Sequence, residues 1–186
     1  MANKLIEIMD AGWENEETEC GYGSSRDFTQ VLRVTFQRFL DRFKIKSIGD
    51  AGCGNLDWIK EILLENPEIE YTGYDVIRRP SWDKLVFDLR ILDITKERVS
   101  SCDMIVCRDV FIHLPNTDVV KALSKFRDSQ CKFLFSTTFP FVCNEGRILE
   151  PSSTHSKINL SKLIGYDPIE YIPETYGGKI FALWKI

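Results

Sequence analysis

The stretch Ser47-Ile-Gly-Asp-Ala-Gly-Cys-Gly-Asn-Leu-Asp-Trp58 decides the fold of this chain. It begins as an apolar strand ending in Asp50, turns through Gly52 and Gly54, and then opens a helix. A second apolar strand ends in Asp75, which follows the turn by the ~20 residues expected of a ribose-binding acid. Two such strands, joined by a glycine turn and a helix, form half of a nucleotide-type binding crevice. Asp75 is then placed to accept hydrogen bonds from both ribose hydroxyls.

The turn differs from the dinucleotide-binding fingerprint. Asp57 stands where G-x-G-x-x-G has its third glycine, and Asp50 lies two residues before the first glycine. Two carboxylates would repel a pyrophosphate and attract an ammonium or a sulfonium. The turn therefore favours a ligand that carries a positive charge.

A D-x-G-x-G turn followed by a ribose acid resembles motif I of the class I S-adenosylmethionine-dependent methyltransferases. The resemblance implies that the glycine backbone lies along the methionine part of the cofactor and that Asp50 helps to place its ammonium. It also implies that Asp93 and the backbone of Ile94 contact the adenine, although Asp93 could instead cap a helix before Lys96. The cofactor is expected to be S-adenosylmethionine, with contacts from Asp50, Gly52, Cys53, Gly54, Asp75, Val76, Asp93, Ile94 and Arg108.

The rest of the chain predicts an α/β fold. Near-continuous apolar runs alternate with helical patterns, which is typical of a parallel sheet covered on both faces. Gly177-Gly178 between the last two apolar runs indicates a closing hairpin with an antiparallel strand. The resemblance implies a Rossmann-like, mostly parallel sheet of seven strands. Strands are expected at 45–50, 70–75, 84–91, 102–107, 132–137, 169–173 and 179–185, and helices at 26–43, 56–65 and 116–127.

The length predicts one domain with a sizeable core, because 186 residues and a hydrophobic fraction of 44% are ordinary for a globular protein. Within the single domain 1–186, we expect an N-terminal cap and helix at 1–43 and a cofactor-binding core at 44–140. A substrate loop at 141–165 and a closing hairpin at 166–186 complete it.

The segment Cys107-Arg-Asp-Val-Phe-Ile-His-Leu-Pro115 closes the fourth strand, where open α/β sheets place reactive groups. His113 could act as general base for an alcohol, and Asp109 would share its face if the segment were helical. The alternative is a histidine that only stabilises the loop. Asp109 could also contact cofactor or substrate directly, because it lies closer to the strand end.

The long polar stretch 141–160 has the length of a lid or binding loop, although a solvated surface loop is equally compatible with its composition. The aromatic residues Trp13, Tyr22 and Trp58 could either belong to the core or stack on a substrate ring. The expected substrate contacts are Tyr22, Thr138, Asn144, Arg147 and His155.

Composition disfavours several classes of protein. The net charge is −4 and no lysine/arginine block stands out, so a nucleic-acid partner is not expected. No apolar run approaches the ~20 residues of a membrane span, and the first residues lack a signal-peptide core. The six cysteines include no C-x-x-C pair and there are only two histidines, so we expect no metal site. Reduced thiols would suit a cytoplasmic protein, of the host cell if the protein is viral.

The combination of motifs over the whole chain is more specific than motif I of the class I methyltransferases alone. It combines the D-x-G-C-G turn with Cys-Arg-Asp-Val-x-x-His-Leu at 107–114 and a Thr-Thr turn at 137–138. This resembles small methyltransferases of bacteria and large DNA viruses, some fused to glycosyltransferase domains. The resemblance implies O-methylation of a sugar hydroxyl in a glycan, alongside or fused to glycosyltransferases, but the segment Ser156-Lys-Ile-Asn-Leu160 departs from it. Alternatives are methylation of another small metabolite or of a protein side chain, or a non-catalytic binding domain.

Overall fold

A computed structural model describes residues 20–147, 155–173 and 178–186 of the chain. Its strands are β1 (Ser47–Ala51), β2 (Glu70–Asp75), β3 (Asp88–Ile91), β4 (Met104–Cys107), β5 (Phe133–Thr138), β6 (Glu170–Pro173) and β7 (Ile180–Lys185). In this described part they form one sheet in the order β3-β2-β1-β4-β5-β7-β6. β1 to β5 pair in parallel, whereas β7 is antiparallel to both β5 and β6. The predicted α/β class, seven strands and antiparallel end are confirmed.

The helices are α1 (Gln30–Phe43), α2 (Lys60–Glu65), α3 (Asn116–Asp128) and α4 (Leu160–Ile164). Shorter 3₁₀ turns cover Tyr22–Ser24, Pro80–Lys84 and Phe111–His113. The boundaries of β2 match the predicted 70–75. Trp13, the acidic residues 14–19 and Gly177 lie outside the described residues.

Three elements begin four residues later in the chain than their patterns predict, and local geometry explains why. α2 begins at Lys60 rather than 56 because Leu56 has a left-handed φ of 63°. β3 begins at Asp88 because Pro80–Lys84 forms a 3₁₀ turn that buries Trp82. The helix expected from Arg26 starts at Gln30, after a turn in which the Phe28 amide donates to Ser25 Oγ over 3.3 Å.

The core lies on both faces of the sheet. On one face α1 buries Phe36 and Phe39 against Phe135 of β5, with ring centroids 5.1 and 5.9 Å apart. On the other face α3 buries Phe126 in a cluster that includes Trp184 of β7. This two-sided packing leaves the carboxyl ends of the parallel strands open along one edge, where ligands bind in α/β sheets.

No helix in the part of the chain that the structure describes is long and apolar enough to span a membrane.

Candidate functional site

A cavity of about 570 Å³ opens at the carboxyl ends of β1, β2 and β4, within the usual size of small-molecule sites. From β1 the strand order runs to β2 and β3 on one side and to β4 and β5 on the other. The cavity therefore lies at the topological switch point of the sheet, between β1 and β4. Most of the residues expected from the sequence line it: Tyr22, Gly52, Cys53, Gly54, Asp75, Val76, Asp93, Ile94, Arg108, Asp109, His113 and His155.

The glycine turn has a left-handed backbone and close neighbours that leave no space for a side chain. Gly52 has φ 85° and Gly54 has φ 57°. A Cβ on Gly52 would lie 2.2 Å from a methyl of Val110, and one on Gly54 would lie 2.5 Å from Cys20 Sγ. The Gly52 amide donates to the Tyr74 carbonyl over 2.7 Å, which ties the turn to the end of β2. The backbone therefore comes to the cavity wall with no side chain in between.

Asp75 is the acid most closely joined to this turn. Its carboxylate accepts the Gly54 amide over 3.0 Å and the Ile77 amide over 3.2 Å. Burial raises its pKa, against the Gly54 bond and the nearby charge of Arg79. Because two backbone amides orient the carboxylate at the cavity wall, its remaining lone pairs suit a pair of ligand hydroxyls.

Asp93 caps the turn that follows β3, as the second of its two interpretations predicted. It accepts the Thr95 amide over 2.9 Å and pairs with Lys96 Nζ at 2.8 Å. Partial burial acts to raise its pKa, but the bonds from Lys96 and Thr95 outweigh it and lower the pKa. Asp93 and Ile94 still line the cavity, so capping and ligand contact are compatible here.

Asp50 lies behind the glycine turn and not on the described cavity wall. It is 1% exposed, and the Tyr71 hydroxyl donates to it over 2.9 Å. Burial raises the pKa of Asp50 to about 7, in spite of the Tyr71 bond, and the charge of Asp75 adds to the rise. The geometry thus gives Asp50 an indirect influence on a ligand, through the turn.

Asp109 and Arg108 form a charged pair at the end of β4. Arg108 approaches the Asp109 carboxylate to 3.2 Å and donates to Ser24 Oγ over 3.2 Å and to the Gly23 carbonyl. Its guanidinium also lies over the Trp58 ring, 5.8 Å from the centroid. Arg108 therefore joins the N-terminal segment to the strand end while it lines the cavity.

Lys179 completes this charged group and was missed in the sequence. Its Nζ lies 3.2 and 3.3 Å from the two Asp109 oxygens. Thr137 Oγ1 donates to Asp109 over 2.9 Å. Burial acts to raise the pKa of Asp109, but the charges of Arg108 and Lys179 lower it, so the carboxylate stays ionised. A single lysine before the last apolar run carries no sequence signal that would place it here.

The segment from Asp109 to His113 is not one helix, so the condition under which the two residues would share a helical face is not met. Asp109 has a left-handed φ of 54°, and the 3₁₀ turn covers only Phe111–His113. Asp109 is bound by Thr137, Arg108 and Lys179. His113 does line the cavity, where its ring centroid lies 6.4 Å from that of His155.

Three residues expected to contact substrate form hydrogen bonds within the fold and are absent from the described cavity lining. Arg147 donates to the main-chain carbonyls of Phe111 and Leu114 over 3.0 and 2.6 Å. Asn144 donates to the Asn159 carbonyl over 2.8 Å. Thr138 Oγ1 accepts the Leu160 amide over 2.9 Å. The Arg147 bonds fasten the segment after β5 to the 3₁₀ turn that carries His113, and the other two bonds tie that segment and β5 to the start of α4. A substrate role for the three residues stays a prediction.

The two aromatic residues left open by the sequence have different places. Trp58 is 4% exposed and packs edge-to-face on Phe36, so it belongs to the core even though one side reaches the cavity. Tyr22 is 54% exposed and packs edge-to-face on Phe28. The cavity residues that the sequence did not single out include Phe28, Arg79, Phe139, Lys157 and Lys179.

Comparisons with known proteins give structural likeness only, since no protein-family model and no curated protein matches the chain. Magnesium protoporphyrin IX methyltransferase (ChlM) from Synechocystis PCC 6803 superposes with a TM-score of 0.64 at 13% identity, over 98% of this chain and 93% of that one. The riboflavin-derivative dimethyltransferase RosA from Streptomyces davawensis has a TM-score of 0.65 at 15% identity, over 86% of this chain and 55% of its own. A bacterial CtHen1 methyltransferase domain has a TM-score of 0.59 at 16% identity, over 86% of this chain and 100% of that one.

These likenesses define the fold as that of the Rossmann-like S-adenosylmethionine-dependent methyltransferases. The described residues contain no group of three or more histidine, cysteine or acidic side chains that could hold a metal ion.

Proposed function

We propose that the chain is an S-adenosylmethionine-dependent methyltransferase that methylates an oxygen of a small molecule, with a sugar hydroxyl of a glycan as the acceptor favoured by the sequence resemblance. The observation that carries the proposal is the side-chain-free glycine turn with Asp75 bound to it, at the switch point of a methyltransferase fold. Structures of two similar proteins, ChlM and PigF, contain S-adenosylhomocysteine.

The residues present fit that cofactor. Gly52 and Gly54 bring bare backbone to the cavity wall, where its methionine part would lie, and a Cβ at either position would push the turn away from Val110 or Cys20. Asp75 offers acceptors to the ribose hydroxyls, and the backbone after Asp93 can meet the adenine edge. When bound, the cofactor supplies an electrophilic methyl group on a sulfonium.

The chain contributes binding, orientation and one proton acceptor. Holding an acceptor in line with the methyl group accounts for much of the catalysis in such a transfer. His113, on the cavity wall, takes the proton of the acceptor hydroxyl as general base in this proposal. Tyr22 and Phe28, whose rings pack edge-to-face, add apolar surface to the cavity wall.

A ring-bearing metabolite that is not a sugar is the second candidate for the acceptor. The aromatic side chains Tyr22, Phe28 and Phe139 on the cavity wall favour a flat apolar body. The names of RosA and ChlM refer to a riboflavin derivative and to a porphyrin, both of which contain ring systems. The sequence resemblance also leads us to propose action alongside glycosyltransferases, which would apply only to the sugar acceptor.

Calorimetry with S-adenosylhomocysteine and with NAD tests the cofactor assignment. We expect S-adenosylhomocysteine to bind and NAD not to compete with it; tight binding of NAD with no response to S-adenosylhomocysteine would overturn the proposal. A transfer assay with cofactor labelled in its methyl group, against glycans, ring metabolites, peptides and nucleic acids, then identifies the acceptor class. Activity that survives EDTA is expected, and loss restored by Mg²⁺ would contradict the metal-free mechanism.

A further inference from the structure

One end of the cavity is rich in positive charge, although the chain as a whole carries −4. We call this the cationic end and define it by Arg108, Asp109, His113, His155, Lys157 and Lys179, all of which line the cavity. These lining residues include three basic side chains, Arg108, Lys157 and Lys179, and one carboxylate, Asp109. Protonation of either histidine would add to this excess of positive charge. The opposite end, around Asp57, Asp75 and Asp93, has the reverse balance.

Asp109 does not neutralise the two cations that share it. Lys179 Nζ and the Arg108 guanidinium both approach the same carboxylate to 3.2 Å. Lys179 is 12% exposed, with Nζ 5.4 Å from the centroids of the Phe28 and Phe181 rings. Burial lowers the pKa of Lys179 and the charge of Arg108 lowers it further, against the attraction of Asp109. An anionic ligand in the cavity would therefore face two cations that share one carboxylate.

The segment that carries His155 and Lys157 is fixed against the rest of the cationic end. The Ser156 amide donates to the Ile112 carbonyl over 2.8 Å, directly beside His113. Lys157 Nζ lies 5.6 Å from the centroid of the Phe139 ring. Its charge is thus held at the cavity wall by the backbone on one side and by an aromatic face on the other.

We propose that the acceptor carries an anionic group, a carboxylate or a phosphate, which Lys157 and Lys179 bind at the cationic end. The inference rests on the proposed function and adds the substrate class: a sugar acid, a sugar phosphate or a ring-bearing acid in place of a neutral alcohol. Charge-assisted bonds to such a group are among the stronger polar contacts and discriminate against neutral analogues.

Matched pairs of compounds test this inference by calorimetry in saturating S-adenosylhomocysteine. The pairs are D-glucuronate or D-glucose 6-phosphate against D-glucose, and 4-hydroxybenzoate against 4-hydroxybenzyl alcohol. We expect an anionic member to bind more tightly than its neutral partner. Lys157→Gln and Lys179→Gln should each weaken that anion by roughly tenfold to a hundredfold, the equivalent of one charged hydrogen bond. Lys162→Gln, the same charge change at an exposed position on α4, should leave it unaffected.

The outcomes separate this inference from the proposed function. If S-adenosylhomocysteine does not bind, the proposed function fails. If it binds but no anionic compound is preferred in any pair, only the anionic acceptor is overturned. If the two lysine variants lose S-adenosylhomocysteine instead of the anion, the cationic end serves the carboxylate of the cofactor, and the inference is again wrong. Comparison of the two sugar anions distinguishes carboxylate from phosphate.

Discussion

The two ends of the cavity are built in different ways. The cofactor end consists of one continuous turn, Gly52–Gly54, and of acids that directly follow parallel strands. The cationic end brings together side chains from three distant parts of the chain, including Asp109 and Lys179, which are separated by 70 residues. The first end is made mainly of backbone and the second mainly of side chains. The comparison teaches that a fold can dictate a cofactor site locally while an acceptor site depends on tertiary packing.

Replacement of His113 by alanine should give the largest effect if the cationic end holds the general base. We expect kcat to fall by ~10²–10⁴-fold, the usual contribution of a positioned base, with the affinity for S-adenosylhomocysteine nearly unchanged. Single-turnover assays measure the loss of rate and calorimetry measures the affinity for S-adenosylhomocysteine. Thermal unfolding shows whether the variant is still stably folded. His155→Ala is the matched comparison, because its ring lies beside that of His113. A His113 variant that keeps kcat but loses thermal stability would show that His113 only braces the loop.

Gly52→Ala should disrupt the cofactor end through the backbone. The left-handed φ costs ~1–3 kcal/mol for a non-glycine residue, and the collision with Val110 adds ~1–3 kcal/mol of overpacking. Gly165→Ala is the control, since φ is 96° there but nothing lies within 4 Å of the added Cβ. Urea unfolding gives the free energy of unfolding of both variants, and the difference between their losses of stability is the cost of the collision with Val110. Equal losses of stability would mean that the close approach to Val110 is unimportant.

Asp75→Ala should weaken S-adenosylhomocysteine by roughly tenfold to a hundredfold, because it removes a charged acceptor worth ~1.5–3 kcal/mol. Calorimetry measures the change. The loss should be smaller for Asp57→Ala, which also lines the cavity but lies on the turn after the glycines. An Asp75 variant with unchanged affinity for S-adenosylhomocysteine would mean that the ribose binds elsewhere. The cofactor end would then not depend on the acid at the end of β2.

Asp50→Asn tests the indirect role of the acid behind the turn and should have the smallest effect on binding. Burial raises the pKa of Asp50 from its ordinary 3.8 to about 7. Its contribution to stability is therefore fully present below about pH 4 and is lost as the pH rises towards about 7. The variant should show a flatter dependence of unfolding free energy on pH over that window, measured by urea titration. A large loss of S-adenosylhomocysteine affinity would instead indicate that Asp50 contacts the ligand.

Local patterns predicted most of the fold for identifiable reasons. The boundaries of β2 could be read from an apolar run that ends in an acid. The stripe that α1 buries, with Phe36 and Phe39, follows from helical spacing. The late start of β3 could not be read, because Val86 and Phe87 look like strand residues while Pro80–Lys84 forms a turn that buries Trp82.

The sequence by itself determined the glycine turn and the acids at the strand ends, because each depends on residues close together in the chain. Only the tertiary structure decided that Lys179 meets Asp109, and that Arg147 binds main-chain carbonyls instead of lining the cavity. The partner of a buried charge is chosen by whichever groups packing brings within a few ångströms. Spacing along the chain carries no information about such long-range neighbours. Only the tertiary structure therefore shows which side chains form the cationic end of the cavity.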